Sequence, residues 1–399
     1  MIGNKKKVFF LSASDRINYG DNLFPVIFKF YVDKRNEVIF QNYSLRNSNY
    51  ENYGGLKTKS YKLFLKDLAG NDFDNTIVLI GGGEVLYSTW QILYSYFSKT
   101  FNFFKRQKVL YKILTKLHLE NVLFGQKVRY PLNPTKQELN IKSAKIVYNA
   151  VSGVSLKKVS LKYRQEFLKS ADIISVRDKR TFNHLKEEQN NILLMPDSAI
   201  VLSLIFGENF LNARIRNNII QKEKYIFVQL GIYAVEDNSK ISKEKNLNYL
   251  GRQIKSLSKK MNCHVILCPI GKALKHEDEI PLKYLNTIIP NSTFIDPDNL
   301  FEVTFLLSKA TLYIGSSLHG AIVSQSYGIP FFPINKSIKK LVSYLDTWTG
   351  RKVYSFEEIS EIPEDYKNWD YDRMRFLTSK QQSQVEGFID DILKGGAIR

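Results

Sequence analysis

The pentapeptide Ser316-Ser317-Leu318-His319-Gly320 combines the residue types from which an anion site or a proton-transfer site is built. Only five histidines occur in the 399-residue chain, and this one stands where an apolar strand pattern gives way to a helix. Ser316 or Ser317 can cap that helix, Gly320 leaves room for a ligand, and free N–H groups at a helix start attract anions. The helix dipole favours a neutral imidazole at His319. The segment therefore predicts either a substrate-binding or acid group, or a buried histidine of the helix start.

Further polar, glycine-rich and charged residues follow other predicted strands. Carboxyl ends of parallel strands meet at one edge of a sheet, so these residues are expected to face a shared cleft. The triplet Gly81-Gly82-Gly83 follows the third predicted strand and is interpreted either as a tight turn or as a close backbone approach to a ligand. Arg177 stands at a predicted helix start, where its charge opposes the helix dipole, which favours anion binding. The remaining candidates are Asn18, Asp21 and Lys272.

Several classes of site are not expected. The glycine triplet lacks the G-x-G-x-x-G spacing of a dinucleotide site, and no P-loop pattern occurs. No histidine or cysteine pair has metal-ligand spacing, so no metal is predicted. Cys263 and Cys268 are expected to be buried and reduced, as in a cytoplasmic protein. No apolar run approaches the about 18 residues of a membrane-spanning helix, and the short N-terminal run indicates a first strand.

The elements that must position these residues are strands and helices in regular alternation. This pattern predicts an α/β fold of two Rossmann-like, doubly wound parallel-sheet domains that face each other across a cleft. The first domain is expected at 1–205 and the second at 224–350, which suits a chain too long for one hydrophobic core. The extension at 351–399 is expected to carry a helix that packs back on the first domain.

The charge balance favours an anionic partner. Lysine and arginine number 58 against 39 aspartates and glutamates, a formal net charge of +19. Acidic lipid headgroups and phosphorylated or carboxylated small molecules both fit such an excess, and so does a bias in genome composition. An insert at 94–130 is rich in aromatic and basic residues and is interpreted as a packed surface helix or as a helix on an anionic membrane. No nucleic-acid module is recognisable, so nucleic acid is not expected as a partner.

Six short segments, taken in chain order, resemble the polysaccharide pyruvyl transferase family. They are NYGDN at 18–22, IGGGEVL at 80–86, ISVRDKRTFNHL at 174–185, MPDSAIVL at 195–202, CPIGKALKHEDE at 268–279 and LYIGSSLHGAIVSQSYGIP at 312–330. Members of this family attach pyruvate as a ketal to sugars, with phosphoenolpyruvate as the donor, and look like GT-B glycosyltransferases. The resemblance implies phosphoenolpyruvate as co-substrate, a saccharide or lipid-linked saccharide acceptor of a bacterial surface polysaccharide, and no metal or bound cofactor.

The resemblance also implies roles for individual residues. His319 becomes the candidate acid or phosphate partner, and Ser316 and Ser317 would hold the anion. Arg177 and Lys272 become cationic clamps. His276 is a secondary polar contact.

One position departs from the family pattern. Many members carry an arginine two positions before the histidine, where this chain has Ser317. Another cation, Arg177 or Lys272, then has to compensate for the missing charge.

Two other functions remain open at this point. One is a GT-B glycosyltransferase that uses a nucleotide sugar, with His319 and the glycine-rich loop around the diphosphate. The other is a non-catalytic protein of glycan assembly on the same fold. The protein is expected in the cytoplasm. A lipid-linked acceptor at the inner face of the membrane would account for a basic, aromatic insert at 94–130, and contact of that insert with lipid stays open.

Overall fold

Two separate parallel β-sheets organise the chain. The computed structural model describes residues 5–70, 74–86, 88–98, 128, 130–153, 160–188, 191–217, 219–220, 224–232, 243–274 and 277–394. One sheet has six strands and the other five, and every strand pair in both sheets is parallel. The predicted class, two Rossmann-like α/β sheets, is confirmed.

The six-stranded sheet is built from the first half of the chain. Its strands are β1 (Lys6–Leu11), β2 (Val38–Tyr43), β3 (Thr76–Gly83), β4 (Lys145–Val151), β5 (Ile173–Val176) and β6 (Ile192–Leu194). Their spatial order is β2-β1-β3-β4-β5-β6, so the direction of winding reverses between β1 and β3.

The five-stranded sheet follows later in the chain. Its strands are β7 (Tyr225–Gln229), β8 (His264–Leu267), β9 (Ser292–Phe294), β10 (Leu312–Gly315) and β11 (Phe331–Pro333). The order β9-β8-β7-β10-β11 places its reversal between β7 and β10. All residues of β3, β7 and β10 are buried, as expected for strands covered by helices on both faces.

Fifteen helices connect or flank these strands among the described residues. They are α1 (Tyr19–Asp33), α2 (Tyr61–Ala69), α3 (Trp90–Tyr94), α4 (Lys136–Leu139), α5 (Leu161–Ser170), α6 (Lys179–Lys186), α7 (Leu202–Ile205), α8 (Glu208–Asn212), α9 (Lys243–Met261), α10 (Glu279–Ile288), α11 (Leu300–Ser308), α12 (Leu318–Ser326), α13 (Lys339–Trp348), α14 (Ile362–Lys367) and α15 (Tyr371–Lys394). Single 3₁₀ turns lie at Glu51–Tyr53, Ser198–Val201 and Glu357–Glu361.

Helix α1 links the two halves of the molecule. It packs on the six-stranded sheet, and its first residue, Tyr19, is fully buried with its hydroxyl 2.7 Å from the Thr304 hydroxyl of α11. The loop before α1 also pairs with the loop after β8, since Asn18 and Gly271 form an antiparallel bridge. The two sheets are therefore held together at the edge where their strands end.

The long helix α15 packs along both halves. This helix contacts α1 of the first half and α12 of the second half. Near its end, the carbonyl of Leu393 accepts a hydrogen bond from the Lys6 ammonium. The division of the chain into domains at 205 and 224 stays a prediction. The insert at 94–130 lies mostly outside the described residues.

Two local predictions need correction. The glycines Gly81–Gly83 do not form a turn after the third strand, because they are its last residues and pair with β4. The helix predicted from Arg177 begins at Lys179, with Asp178 as its N-cap.

Cys263 and Cys268 are buried and unpaired, as predicted. Within the described residues no helix has the length and apolar character needed to cross a membrane.

Candidate active site

A cleft of about 630 Å³ opens where both sheets reverse their winding. Loops after β1, β3, β7 and β10 border it, which is where parallel α/β sheets bind ligands. Ala13 and Gly83 line the cleft from the side of the six-stranded sheet. The lining from the side of the five-stranded sheet includes Gln229, Ser316 and His319. The prediction that these strand ends face one shared cleft is confirmed.

His319 lies across this cleft against the other half of the molecule. Its ring makes an edge contact with Phe24 of α1, with 5.6 Å between the ring centroids. Its Nε2 atom is 3.7 Å from Oδ2 of Asp197, within ion-pair range but too far for a hydrogen bond. The Asp197 carboxylate thus places a negative charge beside the ring, a neighbour that the sequence did not reveal. A ring that is 15% exposed can still reach a ligand in the cleft.

Gly20 provides the space that the His319 ring occupies. A Cβ atom added at Gly20 would lie 1.9 Å from Nδ1 of His319, so the ring would have to move. We expect Gly20→Ala to lower the free energy of unfolding by about 1–3 kcal/mol. We also expect about a 10²-fold loss of any rate that depends on the position of this ring, because the ring would be displaced by about 1 Å. Urea denaturation and initial rates measure the two effects.

Gly387→Ala in α15 is the matched control. No atom lies within 4 Å of a Cβ built there, so the substitution is expected to leave activity unchanged and not to destabilise the helix. If Gly20→Ala and Gly387→Ala had the same unfolding free energy and the same initial rate, the position of the His319 ring would not depend on the space at Gly20.

A buried ion pair lies directly behind His319. Nη1 of Arg177 is 2.7 Å from Oδ2 of Asp197, and the two side chains are 3% and 0% exposed. Burial opposes ionisation of Asp197, but the neighbouring His319 and Arg177 outweigh it and lower its pKa to about 2. Arg177 lines the cleft, yet its charge is already opposed by a carboxylate. Arg177 precedes the N-cap of α6 and so lies outside the first turn, and its role in anion binding stays a prediction.

The start of α12 is occupied by protein atoms. Ser317 is the N-cap, as predicted, and accepts a hydrogen bond from Gly320 N. The backbone N–H groups of Ser316 and Ser317 both donate to Oε1 of Gln229, at 3.1 and 2.9 Å. The Ser316 hydroxyl accepts from Gly231 N at 3.0 Å. The N–H groups of Ser316 and Ser317 are therefore not free for an anion, and anion binding at this helix start stays a prediction.

The sequence of the chain also matches a known family. The sequence model described as Polysaccharide pyruvyl transferase matches residues 18–337, and this range contains His319, Arg177 and Asp197. The chain belongs to the polysaccharide pyruvyl transferase family. No protein of curated function matches it significantly in sequence.

Solved structures place this pyruvyl transferase family member in the GT-B fold. UDP-GlcNAc 2-epimerase from Neisseria meningitidis, bound to UDP-GlcNAc, superposes with a TM-score of 0.54 at 12% identity over 98% of this chain and 100% of that one. UDP-GlcNAc 2-epimerase from Methanocaldococcus jannaschii gives 0.56 at 13% identity over 92% and 94%. Identities this low establish the shared fold alone.

Lys272, which the resemblance to pyruvyl transferases assigned to the donor site, is not brought to His319. Nζ of Lys272 is 2.6 Å from Oδ1 of Asp296 and donates to the carbonyl of Pro297 at 2.8 Å, and the residue does not line the cleft. A local ion pair after β9 thus holds the ammonium, and we no longer place Lys272 among the donor clamps. His276 lies outside the described residues.

Of the glycines predicted to contact a ligand, two are explained by packing. A Cβ on Gly81 would lie 2.3 Å from Phe10, and one on Gly320 would lie 2.4 Å from the Tyr313 hydroxyl. Neither lines the cleft, so packing accounts for both glycines in place of the ligand contact predicted.

The other predicted residues do border the cleft. Gly82 and Gly83 line it, and Gly83 adopts a φ of +95° that favours glycine. Asn18 and Asp21 line it from the start of α1, where Asn18 is the N-cap and Asp21 pairs with Nε of Arg16 at 3.4 Å.

Asp278 is a cleft residue that the sequence analysis did not single out. Its Oδ2 accepts hydrogen bonds from Gln229 Nε2 and from the backbone N–H groups of Ile270 and Gly271, at 2.8, 3.0 and 2.9 Å. Its Oδ1 has no hydrogen-bond partner among the described residues. Burial raises the pKa of this carboxyl to about 7, although the three donors act in the opposite direction. Asp278 can therefore change its protonation state near neutral pH.

The raised pKa of Asp278 predicts a pH-dependent stability. The folded protein holds the proton up to about pH 7, whereas the ordinary pKa is 3.8, so this group favours folding below about pH 4. That contribution is lost as the pH rises through 7. Asp278→Asn cannot ionise, so its stability should not fall in this way. We expect the difference in unfolding free energy between Asp278→Asn and the original protein to shift in favour of the variant by at least about 1 kcal/mol when the pH is raised from about 5 to about 8.

Urea denaturation at both pH values measures this difference. Asp296→Asn, at a half-exposed carboxylate, is the control and is expected to show no such gain. If the free energies of unfolding of Asp278→Asn and of the original protein changed in parallel with pH, a neutral Asp278 in the folded state would be contradicted.

The sequence also did not reveal three other residues of the cleft and its wall, which are Gln229, Asp197 and Lys340. Asp197 and Asp278 lie within two of the segments that carry the family resemblance, which was the available signal. For Gln229 and Lys340 the sequence offers no comparable signal.

Proposed function

We propose that this protein transfers the pyruvyl group of phosphoenolpyruvate to a sugar of a bacterial surface polysaccharide or its lipid-linked precursor, as a ketal. The observation that carries the proposal is the position of His319. The family-matched histidine lies in the cleft between the two sheets, beside the buried Asp197–Arg177 pair. In this proposal phosphoenolpyruvate is a co-substrate, and the reaction uses no resident cofactor.

The reaction needs two proton movements. A proton delivered to the methylene carbon of phosphoenolpyruvate makes the neighbouring carbon electrophilic, and a sugar hydroxyl attacks it. A second hydroxyl then displaces inorganic phosphate and closes the ketal. Of the two hydroxyl protons released, one balances the new methyl hydrogen and the other leaves with the phosphate.

The cleft contains two groups suited to these steps. His319, with the Asp197 carboxylate behind it, is the proposed acid that protonates the methylene carbon. Asp278, whose pKa burial raises to about 7, is the proposed acceptor of a hydroxyl proton. Gly83, Asn18 and Asp21 on the opposite wall are proposed to contact the sugar.

The proposal also locates the reaction. Phosphoenolpyruvate is a cytoplasmic metabolite, so we propose a cytoplasmic enzyme that meets a lipid-linked acceptor at the inner face of the membrane. The net charge of +19 suits peripheral contact with anionic lipid there. Nucleic acid is not a proposed partner.

Donor binding tests the proposal against a nucleotide-sugar enzyme. Thermal unfolding is followed with phosphoenolpyruvate, with UDP-GlcNAc and with a GDP-sugar, each titrated to saturation. We expect phosphoenolpyruvate alone to raise Tm, because a ligand that binds only the folded state stabilises it. A rise in Tm with a nucleotide sugar and none with phosphoenolpyruvate would overturn the proposed donor.

A further inference from the structure

Three cationic side chains besides His319 line the described part of the cleft, and two of them are neutralised. Arg16 pairs with Asp21 at 3.4 Å, and Arg177 pairs with Asp197 at 2.7 Å. Lys340 lines the same cleft and is partly exposed. It forms no ion pair or hydrogen bond with any residue that the structure describes. Within the described part of the chain, Lys340 is thus the cation of this cleft that no carboxylate pairs with.

Helix α13 directs Lys340 toward the corner that holds His319. Residues four apart lie on the same face of a helix, about 5–6 Å from each other, so Lys340 shares a face with Tyr344. Tyr344 is fully buried, and its hydroxyl accepts a hydrogen bond from Asp197 N at 3.4 Å. The same Asp197 faces His319 and Arg177. Lys340 therefore stands one helical turn from Tyr344, the residue whose hydroxyl meets the backbone of Asp197.

The position of α13 is fixed by contacts with the other half of the molecule. The Ser343 hydroxyl donates to Oδ1 of Asp178 at 3.2 Å, and the Trp348 indole N–H donates to the carbonyl of Arg177 at 2.8 Å. These bonds hold the helix across the end of the cleft. Lys340 is consequently presented to the cleft by a rigid element.

Two of the other donors in this corner are occupied. The N–H groups of Ser316 and Ser317 are bonded to Gln229, and Ser317 carries no charge. A phosphate group carries about two negative charges near neutral pH and requires a cation when it leaves water. A lysine ammonium binds phosphate as a point charge from a flexible stem.

We propose that Lys340 binds the phosphate group of the donor substrate and supplies the positive charge that Ser317 does not. This rests on the proposed function in so far as the donor is phosphoenolpyruvate. The shared chemistry is a phosphate, which a nucleotide sugar also offers, so the experiment includes both sources.

Isothermal titration of the full chain with phosphoenolpyruvate, inorganic phosphate and UDP-GlcNAc tests the assignment. We expect Lys340→Met to weaken phosphoenolpyruvate and phosphate binding about 10- to 100-fold, since a hydrogen bond to a charged group is lost. Lys340→Arg retains the charge and is expected to recover most of the affinity. The Tm without ligand is expected to stay unchanged, because the ammonium has no partner to lose among the residues that the structure describes.

Lys339→Met is the matched control. Lys339 is the neighbouring lysine of α13, is exposed and does not line the cleft, so its substitution is expected to leave binding unchanged. Unchanged phosphate and phosphoenolpyruvate binding in Lys340→Met, or an equal loss in Lys339→Met, would overturn the assignment of Lys340. If the original protein binds UDP-GlcNAc in place of phosphoenolpyruvate and Lys340→Met weakens that binding, Lys340 is supported as a phosphate ligand and the proposed function fails.

Discussion

Replacing His319 with glutamine is expected to lower the rate of pyruvyl transfer by about 10²- to 10⁴-fold, the range for loss of a general acid. Glutamine is polar and similar in length, but it cannot deliver a proton to the methylene carbon. Asp197 keeps its bonds to Arg177 and to Ala199 N in this variant, so the fold is expected to persist. The measurement is the initial rate of phosphate release at saturating phosphoenolpyruvate and acceptor, together with Tm.

His264→Gln is the control for this experiment. His264 begins β8, at the end of the five-stranded sheet opposite the cleft, where its ring bonds to Asn291 and Thr293. Its replacement is expected to leave the rate of transfer unchanged. A His319→Gln enzyme within about threefold of the original rate would place the acid at another residue, since general acid catalysis contributes far more than this.

Replacing Asp197 with alanine is expected to destabilise the folded protein by about 3–5 kcal/mol at neutral pH. The substitution leaves the guanidinium of Arg177, which is 3% exposed, buried without its carboxylate. The expected loss depends on pH, because the folded pKa of Asp197 is lowered to about 2 from 3.8. Its stabilising contribution is therefore present above about pH 4 and is lost as the pH falls toward 2.

Urea denaturation of Asp197→Ala and of two companions tests the ion pair. Asp296→Ala removes the half-exposed partner of Lys272 and is expected to cost less than about 1 kcal/mol. The double variant Arg177→Met, Asp197→Leu removes both charges and is expected to be more stable than Asp197→Ala alone. A loss of less than about 1 kcal/mol in Asp197→Ala would show that Arg177 finds another partner or reaches water.

Local sequence patterns predicted much of the fold because they depend on neighbours in the chain. Ser317 caps α12, as its residue type suggested. The alternation of buried strands and amphipathic helices was sufficient to predict two parallel sheets. The glycines of β3 were misplaced because Gly81 and Gly82 are required by contacts with Phe10 and Phe24, which lie far away in the sequence.

The candidate site was less predictable, because contacts between the two halves determine it. The sequence placed His319 at a strand end but gave no sign that Asp197 and Gly20 would surround it. The partner of Arg177 and the occupation of the α12 start by Gln229 both depend on tertiary contacts. Lys272 was expected in the cleft, but a nearby carboxylate holds it elsewhere.

The proposed chemistry is tested most directly by the mass of the product. The protein is incubated with phosphoenolpyruvate and a panel of short and lipid-linked glycans, and the glycans are examined by mass spectrometry. We predict a glycan heavier by one pyruvic acid less one water, formed with an equal amount of inorganic phosphate and absent with His319→Gln. A glycan panel that gains no mass from phosphoenolpyruvate, while the same panel gains a hexose or N-acetylhexosamine from a nucleotide sugar, would contradict the account.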